Sequence, residues 1–123
     1  MNKEIGKITK DIISLLNLLE KEEKPIFIGN GNIEHIKNTH PKDFEKYGDN
    51  IENIIANPTY LARNEKKNSI EFIKEYKVDE DFVLVAVRVS NRGVHFVRTM
   101  YVMACEKVEK YFKHNYFIKF EKK

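Results

Sequence analysis

The 123-residue chain has no tryptophan, one cysteine, three prolines and five glycines. Each scarcity excludes something. With Cys105 alone, no intrachain disulfide can form and no CxxC pair exists, which suits a reducing compartment. HExxH, GxSxG and the glycine spacings of a P-loop or dinucleotide fingerprint are all missing. No apolar run approaches the ~20 residues that a bilayer-spanning helix needs. No basic-then-apolar leader opens the chain. The expectation is therefore a cytoplasmic protein without membrane association, delivery as part of a larger toxin being left open. There is no internal repeat, low-complexity tract or linker, and the length fits one domain over 1–123. That domain divides into an N-terminal helix (1–24) and a core (25–123).

Eight phenylalanines and six tyrosines supply the aromatic packing. The 22 basic and 19 acidic residues leave a formal net charge of +3, too little to demand a nucleic-acid partner. The distribution says more than the total. Between Val83 and Met103 stand Arg88, Arg92 and Arg98 and no acid, while the acids sit mostly in predicted helices. This is compatible with a phosphate-binding sheet face, although charge alone favours a solvated hairpin.

Ile5, Ile8, Ile12, Leu15, Leu16 and Leu19 recur at three- and four-residue steps, which predicts an amphipathic helix over roughly residues 2–22. Pro25–Ile28 reads as a short strand and Gly29-Asn30-Gly31-Asn32 as a turn, with Asn30 or Asn32 able to cap a helix through Thr39. Pro41 ends that helix at His40. A second helix covers Lys42–Tyr47. Asp49-x-x-Glu52 resembles a capping box before Ile51, Ile54 and Ile55, and Asn57-Pro58 stops that helix. The second half changes period. Thr59–Arg63, Ser69–Lys77, Phe82–Ser90 and His95–Met103 read as strands, with Asn91-Arg92-Gly93 as a hairpin turn. Ala104–His114 reads as a helix with Cys105, Val108, Tyr111 and Phe112 inward, and Tyr116–Phe120 as a terminal strand or tail.

The register of the strong hairpin follows from burial. Val83, Val85, Val87 and Val89 share a face and are expected to pack with Phe96, Met100 and Val102. The opposite surface then carries Arg88, Ser90, His95, Thr99 and Tyr101.

Metal-free cleavage of RNA needs a base for the 2′-hydroxyl, an acid for the leaving 5′-oxygen and cations or donors for the charged phosphorane. Histidine suits the first two tasks because its ordinary pKa lies near neutrality. Such groups occur in the His35/His40 segment and on the polar sheet face. Each also has an ordinary structural reading: His35 as a boundary residue of its helix, His40 as a helix-end histidine, Glu71 and Lys74 as surface charges of an edge strand. Residues 71 and 74 face opposite ways in a regular strand, so both reach one site only across a bulge.

Several segments in order carry a resemblance: Pro25–Thr39, His35-x-x-x-x-His40-Pro41, Ile54-Ile55-Ala56-Asn57-Pro58-Thr59-Tyr60, Asn68-Ser69-Ile70-Glu71-Phe72-Ile73-Lys74, and Arg98-Thr99-Met100-Tyr101. Over roughly residues 25–113 the chain resembles the phage-associated nuclease family grouped with barnase, EndoU, the colicin ribonucleases and RelE. The resemblance implies an α+β fold, N-terminal helices packed on a small antiparallel sheet of about four strands. It implies a metal-independent endoribonuclease without cofactor, a toxin or phage effector. RNA is the substrate it implies, tRNA included, with a cognate immunity protein or antitoxin as partner. On matching positions His35 and His40 become acid–base candidates, Thr99 a hydroxyl donor, and Glu71 a base or orienting carboxylate. Lys74 and Arg63 become phosphate-side cations, and Arg88 and Tyr101 join Arg63 in binding substrate. Lys74 shares the apolar side of its strand with Ile70, Phe72 and Tyr76. A catalytically silent RNA- or protein-binding module of the same fold is the alternative, and a structural phage component a third.

Overall fold

A computed structural model describes residues 2–89 and 93–121. Ser90, Asn91 and Arg92, expected at the hairpin turn and its polar face, lie outside the described residues, as does the side chain of Val89. The fold is α+β. Its strands are β1 (Lys3–Ile8), β2 (Lys24–Ile28), β3 (Tyr60–Asn64), β4 (Ser69–Tyr76), β5 (Asp81–Val89), β6 (His95–Val102) and β7 (Ile118–Lys119). Its helices are α1 (Lys10–Leu15), α2 (Asn30–Thr39), α3 (Pro41–Tyr47), α4 (Ile51–Ala56) and α5 (Cys105–Lys113), with a 3-10 turn, Gly48–Asn50, before α4.

The strands form one sheet in the order β1-β2-β6-β5-β4-β3-β7, antiparallel except where β2 runs parallel to β6. The expected four strands are its centre, β3 to β6. The other three come from the two ends of the chain.

The largest correction lies in the N-terminal segment, where the predicted helix over 2–22 is a strand followed by a short helix. The strand β1 pairs with β2, and its register slips between Glu4 and Gly6. That slip turns Ile5 and Ile8, three residues apart, both into the core. Thr9 then caps α1, its hydroxyl accepting from the Ile12 amide at 3.3 Å. A bulged strand joined to a capped helix thus imitates one helical stripe. Gly6 also permits a close approach: a Cβ there would lie 2.6 Å from Ile55 Cγ2 on α4.

Two smaller corrections concern helix starts. Asn30-Gly31-Asn32 is the first turn of α2 rather than a separate turn, and Asn32 Oδ1 accepts from the Gly29 amide at 2.8 Å. The expected capping box at Asp49 is replaced by the 3-10 turn, and α4 begins without a side-chain cap. Pro41 opens α3, where its missing N–H costs nothing.

One face of the sheet is covered by α1 to α4. Ile12, Ile36, Ile51 and Ile54 pack there on Ile26, Phe72, Val83, Val85 and Met100. The other face is covered in part by α5, through Tyr111 and Val108 on Ile73, Leu84 and Tyr101. Cys105, expected inward, is exposed, and Phe112 is half-exposed. Among the described residues, no helix is long and apolar enough to cross a membrane.

The β5–β6 register agrees with expectation only at one end. Val83 faces Val102 and Val85 faces Met100, but the register shifts beyond Ala86. Val87 then faces Val97, and Arg88 faces Phe96. Arg98 is the extra residue of this bulge. His95, expected beside Thr99 on the polar face, is thereby sent to the helix-covered face and is only 2% exposed. Phe96, expected in the core, joins the opposite face and is half-buried.

Candidate active site

The site grows out of the face that α5 only partly covers. Ala86 on β5 pairs with Glu71 on β4 and with Thr99 on β6. Glu71 and Thr99 therefore share a face two strands apart, roughly 10 Å between their backbones. The alanines Ala86 and Ala62 flank Glu71 and keep the floor of this strip low. In the next row towards the hairpin turn, Phe96, Arg88 and Ser69 stand side by side. Arg88 is exposed, and Phe27 on β2 meets Phe96 at 6.1 Å between ring centroids.

Beyond the end of β2, α2 and α3 lie against β6. Asp43 in the first turn of α3 fixes this contact, its Oδ2 accepting from the Val102 amide at 3.0 Å. His40, the residue before Pro41, is then stacked on Tyr101 at 5.2 Å between ring centroids. Its Nδ1 lies 4.0 Å from Asp43 Oδ2, the outer limit of an ion pair. His40 and Tyr101 are both half-buried.

The helix α5 contributes two residues four apart, hence on one helix face, that the sequence reading did not select for chemistry. Lys107 donates from Nζ to the Tyr101 hydroxyl and lies 4.8 Å above the Tyr101 ring centroid. Tyr111 donates its hydroxyl to Glu71 Oε1 at 2.7 Å. Burial, reinforced by this carboxylate, holds the Tyr111 hydroxyl well above the ordinary tyrosine range, so it stays a donor. Glu71 is only 3% exposed. The contacts make a continuous chain: His40, Tyr101, Lys107, Tyr111, Glu71. The available signal was the four-residue step from Lys107 to Tyr111 just after the strand that carries Tyr101.

Of the sequence-derived candidates, His40, Glu71, Thr99, Tyr101 and Arg88 share this face or its rim. Three do not. Lys74 pairs with Val83 on the helix-covered face, and its Nζ donates to the Asn57 carbonyl at 2.8 Å, closing α4. No bulge intervenes between Glu71 and Lys74 to bring them together. Arg63 pairs with Ile70, also on the helix-covered face, and lines a separate cavity there. His35 is exposed on α2, where its carbonyl accepts from the Thr39 hydroxyl and its ring makes no hydrogen bond among the described residues. Among the described residues, no group of three or more His, Cys, Asp or Glu side chains is placed to hold a metal ion.

The family model described as phage-Barnase-EndoU-ColicinE5/D-RelE like nuclease3 matches residues 3–110. No curated protein and no solved structure matches the chain.

Proposed function

This chain belongs to the phage-Barnase-EndoU-ColicinE5/D-RelE like nuclease family, and on that premise we propose that it is a metal-independent endoribonuclease working at the His40–Tyr101–Lys107 cluster. The observation that carries the reading is the bond from Lys107 Nζ to the Tyr101 hydroxyl beside a stacked, half-buried imidazole. Because Lys107 donates to the Tyr101 oxygen, the hydroxyl's own proton is free to point outward. His40 takes the proton from a ribose 2′-hydroxyl, and the 2′-oxygen attacks the adjacent phosphorus. Tyr101 gives its proton to the departing 5′-oxygen, and Lys107 stabilises the phenolate that remains. The products are a 2′,3′-cyclic phosphate and a free 5′-hydroxyl. Thr99 and Arg88 hold the phosphate, and the half-buried rings of Phe27 and Phe96 offer a stacking surface for a base. Glu71 is an orienting carboxylate, holding Tyr111 in place beneath Lys107. His35, exposed on α2 away from this face, lies outside the proton-transfer pair. Cellular RNA, tRNA included, is the substrate class, and an immunity protein or antitoxin covering this face is the expected partner.

The test is cleavage of total RNA by purified protein in EDTA across pH 5–9. Cleavage leaving 2′,3′-cyclic phosphate ends, lost in a folded Tyr101→Phe variant, supports the assignment. Intact RNA throughout refutes the enzyme reading. Steeply salt-dependent RNA binding without cleavage would instead identify a silent RNA-binding module.

A further inference from the structure

The helix-covered face holds a second feature, a cavity of about 230 Å³ near the β3–β4 turn. The bulge at Arg98 aims His95 into it. His95 is 2% exposed, and neither ring nitrogen has a hydrogen-bond partner among the described residues. Glu20 comes nearest, its Oε1 3.7 Å from Nε2, too far for a direct bond. A buried polar group left unpaired is costly, and an imidazole with both ring nitrogens unpaired in a cavity wall points to an occupant that pairs with them.

The walls define that occupant. Leu18, Ile70 and Val87 supply apolar surface. Glu20 and Arg63 bring one charge of each sign, and Asn68 brings an amide. Burial holds His95 in its neutral form, against the pull of Glu20, so its ring presents one donor and one acceptor. A simple anion would meet the Glu20 carboxylate, and a purely apolar ligand would leave the imidazole unpaired. A flat, uncharged heterocycle carrying both donors and acceptors satisfies all of them. Arg63 is left for a phosphate attached to it. The volume falls below that of pockets for drug-sized ligands, about 300–1,000 Å³, and fits a single base.

We infer that this cavity is a nucleotide subsite, taking the base against His95 and Glu20 and its phosphate at Arg63. Arg63 on one face of the sheet end, Arg88 on the other and the exposed Lys66 and Lys67 in the turn between β3 and β4 give basic groups along which an RNA strand can cross from the groove. For an RNA strand as the source of the base, the inference rests on the ribonuclease reading; for a free nucleotide it does not.

The test follows the His95 imidazole resonances of the whole chain by NMR, without turnover. One arm adds each of the four free nucleoside 5′-monophosphates, and the other a fully 2′-O-methylated oligonucleotide that cannot be cleaved. Saturable shifts of His95 in either arm, weakened at least about tenfold in Arg63→Ala and in Glu20→Gln, support the subsite. A response to the oligonucleotide alone makes it part of the RNA path, and one to monophosphates alone makes it a site for free nucleotide. His95 signals unmoved in both arms, or equally moved in the variants, overturn it and leave only ordered water in the cavity. Cleaved RNA with His95 unmoved would refute this inference alone. Bound nucleotide with intact RNA would refute the ribonuclease reading alone.

Discussion

At the scale of single residues, position on one face or the other separates groups that look alike in sequence. His35 and His40 are equivalent as letters, but only His40 stacks on a sheet side chain. Replacing His40 or Tyr101 is expected to slow RNA cleavage by about 10²–10⁴-fold, the usual contribution of one acid or base. His35→Ala should cost less than tenfold. Single-turnover cleavage rates for the folded variants decide this, and equal losses at His35 and His40 would contradict the assignment. Tyr111→Phe removes the hydroxyl that reaches Glu71 and leaves a buried carboxylate short of a donor. It should cost about 1–3 kcal/mol in urea denaturation, whereas an exposed tyrosine changed in the same way costs almost nothing. Strand alternation put Thr99, Tyr101 and Arg88 on a polar face, and the family resemblance added Glu71. The four-residue step from Lys107 to Tyr111 is a weak signal for chemistry, because a charged helix offers several such lysine spacings.

At the scale of elements, most of the chain was readable, from β2 through α5 to the short strand β7, and its first segment was not. The strands β3 to β6 announce themselves by alternation, and Pro41, Gly48 and Pro58 punctuate the helices between. The first strand was misread because its slip at Gly6 gives it a helical spacing. Gly6→Ala tests that account. The added methyl would meet Ile55 at 2.6 Å, against a buried and branched neighbour, and should destabilise the fold by about 1–3 kcal/mol. In a helix the same change would stabilise it, so the sign of the shift in thermal midpoint discriminates. Asp43 tests the seat of α3. In Asp43→Ala the Val102 amide loses its acceptor and His40 loses its neighbouring carboxylate. Stability should fall by about 1–2 kcal/mol and cleavage should fall with it, since the same side chain sets the position of His40.

For the whole molecule, the charge states that the fold favours set the pH range in which it is stable. Burial depresses the His95 pKa from the ordinary 6.5, with Lys24 adding to the effect and Glu20 opposing it. The unfolded chain therefore takes up a proton below about pH 6.5 that the folded chain refuses, and stability falls with acidification. Asp81 acts in the same direction lower down. The Tyr47 hydroxyl, at 2.5 Å, and then Lys46 hold its carboxyl below the ordinary 3.8. On the alkaline side, burial and Asp81 push Tyr47 up to about 12 from 10.0, so this contribution persists to pH 10 and is lost above it. Urea midpoints should be flat from about pH 7 to pH 9.5 and fall on both sides, first below about pH 6.5. A midpoint unchanged between about pH 7 and pH 5 would contradict the burial of a neutral imidazole.

The sequence by itself determined the α+β class, the central strands, the helix boundaries marked by proline and glycine, and the residue types able to handle a phosphate. These follow from local preference and from side-chain periodicity, which act over a few neighbours. Only the tertiary structure decided which of those residues meet. The two bulges, at Ile5 and at Arg98, each reverse the facing of the residues beyond them, and whether a strand bulges depends on the partner strand and the core it must fill. That is why His95 left the polar face for a cavity, while Lys74, on a strand without a bulge, stays on the helix-covered face and the lysine beside Tyr101 comes from α5.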